Sequence, residues 1–427
     1  MLVQCGLNNS VQRFYWDENT KPYNRPTLVS SAFLIQIVLG LIILFIGCLT
    51  LFIYSKYFTF PFVTMTWVAI ASAIVLMIFK IWFVYILDIT RLHLAPFRFL
   101  SISLSSKVIG SIFACFAVVV LGWGLDGFLF AQAIVMVVLF PFACFLIKKD
   151  ITLKVSEVWL RETLRFGYPF IFAGIAFWLL GSVDRWMLAA FTSLDEVGNY
   201  SVAYRFSSVI LFISTAFGMA WGPIAIKLKT DNPNIYKNIY ADLLLVFLFV
   251  ILFISGTISL FSGEIINLLM NESYRDSAIA LIFLSFGVGL YGTQQITAIG
   301  ISIEKKTFLF SRIAWISLIL NITINYLLIP AYGATGASLA TLICYIFITF
   351  SYMYYSEKLH GIFFKKLKIF ILLLLGFGLL FCSIELCSEI LEFPGFVMKL
   401  TLLLLFGILG FFVIRNHFRF DSRGDLS

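Results

Sequence analysis

Twelve apolar stretches, each about 20 residues long, run through this chain between residues 32 and 414. They lie near 32–54, 64–86, 103–123, 126–147, 168–190, 200–226, 240–262, 276–301, 308–330, 334–355, 367–387 and 397–414. A helix of about 20 residues rises about 30 Å, the thickness of a bilayer's hydrocarbon core. Backbone groups in that core find no water, so each run must close its own hydrogen bonds as a helix. The expected fold class is an all-α integral membrane protein with about twelve transmembrane helices. Composition agrees: 61% of the 427 residues are hydrophobic and 12% charged, against about 45–50% and about 25% in a soluble domain. Little chain remains outside the runs, which excludes a large soluble catalytic domain.

The formal net charge of +8 reads as a topology signal rather than a nucleic-acid footprint, because Lys and Arg collect on the cytoplasmic side of membrane proteins. Twenty-four of the 30 Lys and Arg fall in one set of alternating loops, from Arg13, Lys21 and Arg25 through Lys148, Lys149 and Lys154 to Arg415, Arg419 and Arg423. Lys56, Arg275 and Lys399 fall on the other side, and Lys80, Arg185 and Arg205 lie within spans. This asymmetry places both termini in the cytoplasm. No cleavable signal peptide is visible, since the first thirty residues include Asn8, Asn9, Arg13, Asp17, Glu18 and Lys21. The seven cysteines (Cys5, Cys48, Cys115, Cys144, Cys344, Cys382 and Cys387) form no C-x-x-C pair, and His93, His360 and His417 are far apart. No metal site, disulfide framework or cofactor is expected.

Trp123–Gln132 (WGLDGFLFAQ) resembles Tyr332–Thr341 (YGATGASLAT): both read aromatic-Gly-x-x-Gly with an alanine four residues further on. Gly124 and Gly333 are 209 residues apart, and four span starts pair at offsets between 205 and 212. This is a parallel internal repeat of the kind that builds two-lobed transporters. Spans 168–190 and 200–226 have no partners in the first half, so a full first lobe is expected to need two more helices upstream.

Arg165–Pro223 carries RFGYP (Arg165–Pro169), DRWML (Asp184–Leu188), VGNYSVAYRF (Val197–Phe206) and AWGP (Ala220–Pro223). Together with GLNNSVQRFYWDE (Gly6–Glu18) and GISIEKKT (Gly300–Thr307), these resemble the polysaccharide-biosynthesis (O-antigen type) flippases of the multidrug/oligosaccharidyl-lipid/polysaccharide exporter superfamily. The resemblance implies a two-lobed exporter-type fold whose first two family helices are missing here. Residues 1–147 would be an incomplete first lobe of four spans and 148–167 a cytoplasmic inter-lobe linker. Residues 168–355 would be a second lobe of six spans, and 356–427 a terminal helix pair with a cytoplasmic tail. It further implies movement of an undecaprenyl-diphosphate-linked oligosaccharide across the bacterial inner membrane by alternating access. Membrane lipids and polysaccharide assembly proteins would be the partners, with no nucleic acid. No catalytic residue is required, because flipping forms no covalent bond, and no Walker A motif supports direct ATP drive.

A diphosphate and its sugars cannot enter hydrocarbon uncompensated, so such a protein needs a hydrated, cationic cleft. The candidates are Asp184, Arg185, Arg205, Arg13, Lys80 and Gln294. Asp184 and Arg205 stand at similar distances from a hairpin centred on Asp195, so they are expected at similar depth and could pair. The bland alternatives are a structural salt bridge or snorkelling to headgroups. Lys80, about two turns from the end of its span, fits snorkelling. Arg13 is read as a loop residue at the cytoplasmic mouth or an ordinary positive-inside charge. Gln294, Gln295, Asn321 and Asn325 could bond sugar hydroxyls or neighbouring helices. Competing functions are a cation-coupled small-molecule exporter, which deep carboxylates would favour, a membrane polymerase or ligase of lipid-linked sugars, which a sizeable outward loop with Arg or His would favour, and a non-transporting scaffold.

Overall fold

The computed structural model describes residues 6–17, 20–57, 66–93, 96–152, 154–388 and 393–415. Cys5, Glu18, His417, Arg419 and Arg423 lie outside them. Among the described residues every regular element is helical: α1 (Leu7–Tyr15), α2 (Arg25–Tyr57), α3 (Trp67–Leu92), α4 (Pro96–Val119), α5 (Gly124–Leu146), α6 (Glu157–Gly167), α7 (Pro169–Phe191), α8 (Leu194–Asp231), α9 (Tyr236–Leu260), α10 (Ser262–Leu269), α11 (Ser277–Gly292), α12 (Gln294–Thr297), α13 (Ile299–Ile303), α14 (Phe308–His360), α15 (Lys366–Glu385) and α16 (Phe393–Ile414).

Eleven helical segments are long and apolar enough to cross a membrane. The difference from twelve lies in α14, whose 53 residues would measure about 80 Å if straight, more than two bilayer cores. It contains both runs expected at 308–330 and 334–355, and its path breaks between them at Gly333, with φ 50° and ψ −131°. That conformation is costly for any residue with a Cβ. The break also exposes a helix N-terminus inside the segment: the Ala334 N–H donates to Glu196 Oε2 at 2.5 Å. Glu196 lies in the first turn of α8, whose N-cap Ser193 accepts from the Glu196 N–H at 3.4 Å.

The chain divides into two compact units, 1–171 and 172–427. In the first, α4 and α3 pack on α5, and Phe83, Ile86 and Ile89 meet Ala143 and Ile147 in its core. Two short amphipathic helices complete it. The amphipathic α1 buries Leu7, Val11, Phe14 and Tyr15 at near-helical spacing. The Phe14 ring sits 5.6 Å from that of Phe166 and 6.0 Å from that of Trp159, both on α6. Ser10 Oγ donates to the Thr163 carbonyl at 2.9 Å. Gly6 opens α1 at φ 62°, and a Cβ there would collide with the backbone of Gly167. The stretch 148–167, expected as a linker, therefore contributes a helix packed on α1 and α2.

In the second unit α11 is the innermost helix, flanked by α14, α8 and α9, and almost all of its residues from Ser277 to Gly292 are buried. The pair α15 and α16 lies against α9. Lys399 of α16 is fully buried and pairs with Glu264 of α10 at 2.6 Å. A buried pair of this kind is costly to break, by about 3–5 kcal/mol.

Candidate functional site

A carboxylate buried at membrane depth organises the second unit. Asp184 lies on α7 and is 2% exposed. Its Oδ2 accepts from the Tyr200 hydroxyl of α8 at 2.5 Å and from Thr341 Oγ1, beyond the Gly333 break in α14, at 3.0 Å. Its Oδ1 accepts from Asn325 Nδ2, before that break, at 2.6 Å. Asn325 Nδ2 also donates to Asn321 Oδ1 at 3.0 Å, one helical turn away. Neutral donors from three helical stretches thus converge on an acid carried by a fourth. These bonds satisfy the oxygens of the acid, which would otherwise be costly to bury in an apolar surround.

The expected Asp184–Arg205 pair is absent. Tyr200 and Arg205 are five positions apart on α8, so their side chains leave the helix about 140° from each other. With Tyr200 turned to Asp184, Arg205 is exposed on the other side. Arg185, half-buried, turns away from Asp184: its Nη1 donates to the Gly181 carbonyl at 3.1 Å. Its guanidinium lies 4.9 Å from the Tyr204 ring centroid and 5.9 Å from that of Tyr200. Cation–π contact of this type contributes about 0.5–2 kcal/mol. Gln294 is half-buried at the start of α12, next to Tyr291, whose ring stacks on Tyr345 with centroids 4.6 Å apart.

Arg13 and Lys80 belong to the other unit. Arg13 is a helical residue of α1, buried and paired with Asp17 at 2.9 Å, and so corrects its assignment to a loop. Lys80 is exposed, but α3 runs on to Leu92, which places it twelve residues from the helix end instead of about two turns. The first unit has its own polar chain. Gln36 Nε2 donates to Asn8 Oδ1 at 2.6 Å, Asn8 Nδ2 donates to Asp88, and Asp88 pairs with Arg91. Nearby, His93 Nε2 lies 2.8 Å from Asp150 Oδ1, and the Tyr15 hydroxyl reaches the same oxygen at 3.4 Å. Burial and the Asp150 charge push the Tyr15 phenol up, so it stays protonated and donates.

The sequence singled out Asp184 and Arg185; the structure buries the first among neutral donors and turns the second away to the Gly181 carbonyl and the Tyr204 ring. Tyr200 and Thr341 were missed as site residues, although both lie inside recognised motifs, VGNYSVAYRF and YGATGASLAT. Asn321 and Asn325 stood out as polar residues in a span, and their i, i+4 spacing was the available signal.

The all-helical, multi-pass architecture is shared by solved structures. A Vibrio cholerae MATE transporter, VcmN, superimposes with a TM-score of 0.68 at 14% identity, covering 83% of this chain and 84% of that one. A MOP superfamily transporter of Pyrococcus furiosus, described as having a binding pocket of reversed polarity, gives 0.66 at 14% identity over 84% and 85%. The model of the family described as "Polysaccharide biosynthesis protein" matches residues 1–229, and the chain belongs to that family. It is 24% identical over 189 residues to a probable low-salt glycan biosynthesis flippase, Agl15, of Haloferax volcanii (44% of this chain, 40% of that protein). It is 30% identical over 193 residues to the probable flippase AglR of the same organism (43% and 37%). An uncharacterized membrane protein of Methanocaldococcus jannaschii is 26% identical over 259 residues, 57% of this chain and 50% of that one. The chain spans half or less of the length of these curated relatives.

Proposed function

We propose that this protein translocates a lipid-linked oligosaccharide across the cytoplasmic membrane for surface-polysaccharide assembly, with both termini in the cytoplasm. The observation that carries this reading is the sign of the available charge. Asp184 is enclosed by neutral donors, whereas Arg185 and Arg205 remain at least partly exposed within spans. A cargo meeting this face meets cations and tyrosines, which suit a diphosphate and its sugars. A cationic drug would need the acid instead. The family and the relatives named as glycan flippases support the same cargo class, and an undecaprenyl-type carrier is the form it would take in a bacterium. The second reading, a cation-coupled small-molecule exporter, draws support from the MATE fold neighbours. Nothing observed favours a polymerase or ligase.

The test is flipping of a fluorescent diphosphate-linked oligosaccharide in proteoliposomes holding purified protein. Arg185→Ala with Arg205→Ala should weaken transport about tenfold or more, the loss of charge-assisted contacts worth about 1.5–3 kcal/mol each. Lys at both positions should restore part of it. Unchanged transport in the double Ala variant at equal reconstitution would remove the cationic role of this pair, and export of cationic dyes without glycan flipping would favour the second reading.

A further inference from the structure

We propose that the turn between α14 and α15 anchors an anionic glycerophospholipid, whose phosphate is held by lysines of that turn and whose chains lie along the exposed apolar face of α15. The two ends of the second unit's helices differ sharply in charge. The turns at 227–242, 304–312 and 357–368 together carry ten Lys and Arg against four Asp and Glu. The opposite turns at 192–198 and 262–277 carry one against five.

Bonds across the basic turns draw them to one place. His360, the last residue of α14, lies with Nδ1 2.6 Å from Glu304 Oε1 and Nε2 2.8 Å from the Tyr236 hydroxyl. Lys365 pairs with Asp242, and Lys366 Nζ lies 2.8 Å from Glu357 Oε2. The other oxygen of Glu357 accepts the Phe364 N–H at 3.2 Å. Three of the four acids are thus taken up inside the turns, while Lys358 and Lys366 keep exposed side chains. Gly361 takes the left-handed region, φ 66°. A Cβ there would stand 3.4 Å from Lys237 Nζ, so a third ammonium packs on the same turn.

The second observation is apolar. Phe363 is 81% exposed, although its neighbours Ile362 and Phe364 are buried. With both neighbours packed in the core, the backbone is fixed and the Phe363 ring is held outward. Leu367, Phe370, Leu374 and Phe381 follow it on one exposed face of α15. Such a face suits hydrocarbon, and Phe363 with the lysines marks its end. A ligand that meets both features is negative at one end and apolar over the rest. Ammonium groups supply the donors that phosphate oxygens accept, and basic clusters at the end of a spanning helix attract anionic lipid. A zwitterionic headgroup brings its own cation to a surface already cationic. A soluble anion or an acidic peptide leaves the apolar face unused. The inference does not depend on the cargo proposed above.

The experiment is native mass spectrometry of the purified full-length protein in detergent, titrated with phosphatidylglycerol, with phosphatidylcholine of the same chains, and with glycerophosphate as the free headgroup. Phosphatidylglycerol is expected to bind at least about tenfold more tightly than phosphatidylcholine. Lys358→Gln with Lys366→Gln should erase most of that preference, and Lys358→Arg with Lys366→Arg should keep it. Phe363→Ser should weaken both lipids. Lys148→Gln with Lys149→Gln, in the other unit, should leave the preference unchanged. Equal binding of the two lipids to the wild type would overturn the proposal, and that measurement needs no variant to fold. An equal loss in the Lys148 and Lys149 variant would show general charge attraction instead of a site. Competition by glycerophosphate as strong as that of the intact lipid would overturn the lipid assignment. No oligosaccharide is present, so failure here leaves the flippase reading untouched, and failed glycan flipping leaves the lipid result untouched.

Discussion

In the first unit the motif at Trp123–Gln132 turns the chain at Gly124, φ 56°, and starts α5; in the second the matching motif turns it at Gly333, φ 50°, and starts the later part of α14. Gly127 and Gly336 follow at the same spacing, each with no room for a Cβ, and Ala131 and Ala340 are both buried. The backbone device is common to both. The content of the helices it joins is not. Carried back by the 209-residue offset, Asn321 and Asn325 align with Ile112 and Phe116, which are 60% and 51% exposed, and Thr341 aligns with Gln132. One copy presents an apolar face where the other buries two amides against a carboxylate. The repeat specifies how helices reverse, and the polar site is an addition to one copy of it.

The largest expected difference between the copies is at the acid. Asp184→Ala leaves the Tyr200, Thr341 and Asn325 donors without an acceptor, at about 1–3 kcal/mol for each that cannot find another. Ile112→Ala and Phe116→Ala remove apolar atoms that are exposed on their own unit, and should change stability by less than about 0.5 kcal/mol. Thermal denaturation of the purified variants in detergent would show this, and equal losses would break the comparison. A smaller contrast is expected at the turns. Gly124→Ala meets open space and carries only left-handed strain, about 1–2 kcal/mol. Gly333→Ala adds a collision with the Glu196 carboxylate. It therefore also threatens the bond to the Ala334 N–H, worth about 1.5–3 kcal/mol with a charged acceptor. Melting Gly333→Ala in a Glu196→Ala background separates the two terms: the clash disappears and the strain remains.

The spans were legible because apolar runs of membrane length admit one solution for their backbone. Asp184 and Arg185 were legible because a charge in such a run is conspicuous. The partners of Asp184 were not, since Tyr, Thr and Asn in a span serve equally as helix-packing residues, and Thr341 lies 157 positions from the acid it bonds. Depth could be argued from the hairpin at Asp195, but direction around the helix axis could not, and that is why a pairing of Arg205 with Asp184 stayed open in the sequence. The short helices α1 and α6 escaped notice for a related reason. Each is only nine to eleven residues long, and their apolar faces become meaningful only when each is placed against the other.

The smallest expected effect lies at the one charge the two motifs do not share. Asp126 stands in the first turn of α5, where the counterpart in the second motif is Thr335. A carboxylate in that turn faces the partial positive charge of the helix N-terminus and stabilises it by about 0.3–1 kcal/mol. The second copy uses a different acid for the same end of its helix: Glu196, brought in from α8, accepts the Ala334 N–H. Asp126→Asn should therefore lower the melting temperature slightly, and the deficit should shrink as salt rises, because a half-exposed charge is screened. Thr335→Asp should give no matching gain, since its charge would stand beside Glu196 at an N-terminus already supplied with an anion. If Thr335→Asp stabilises the protein as much as Asp126→Asn destabilises it, the two helix starts are electrostatically equivalent, and the assignment of Glu196 as the second copy's substitute for Asp126 fails.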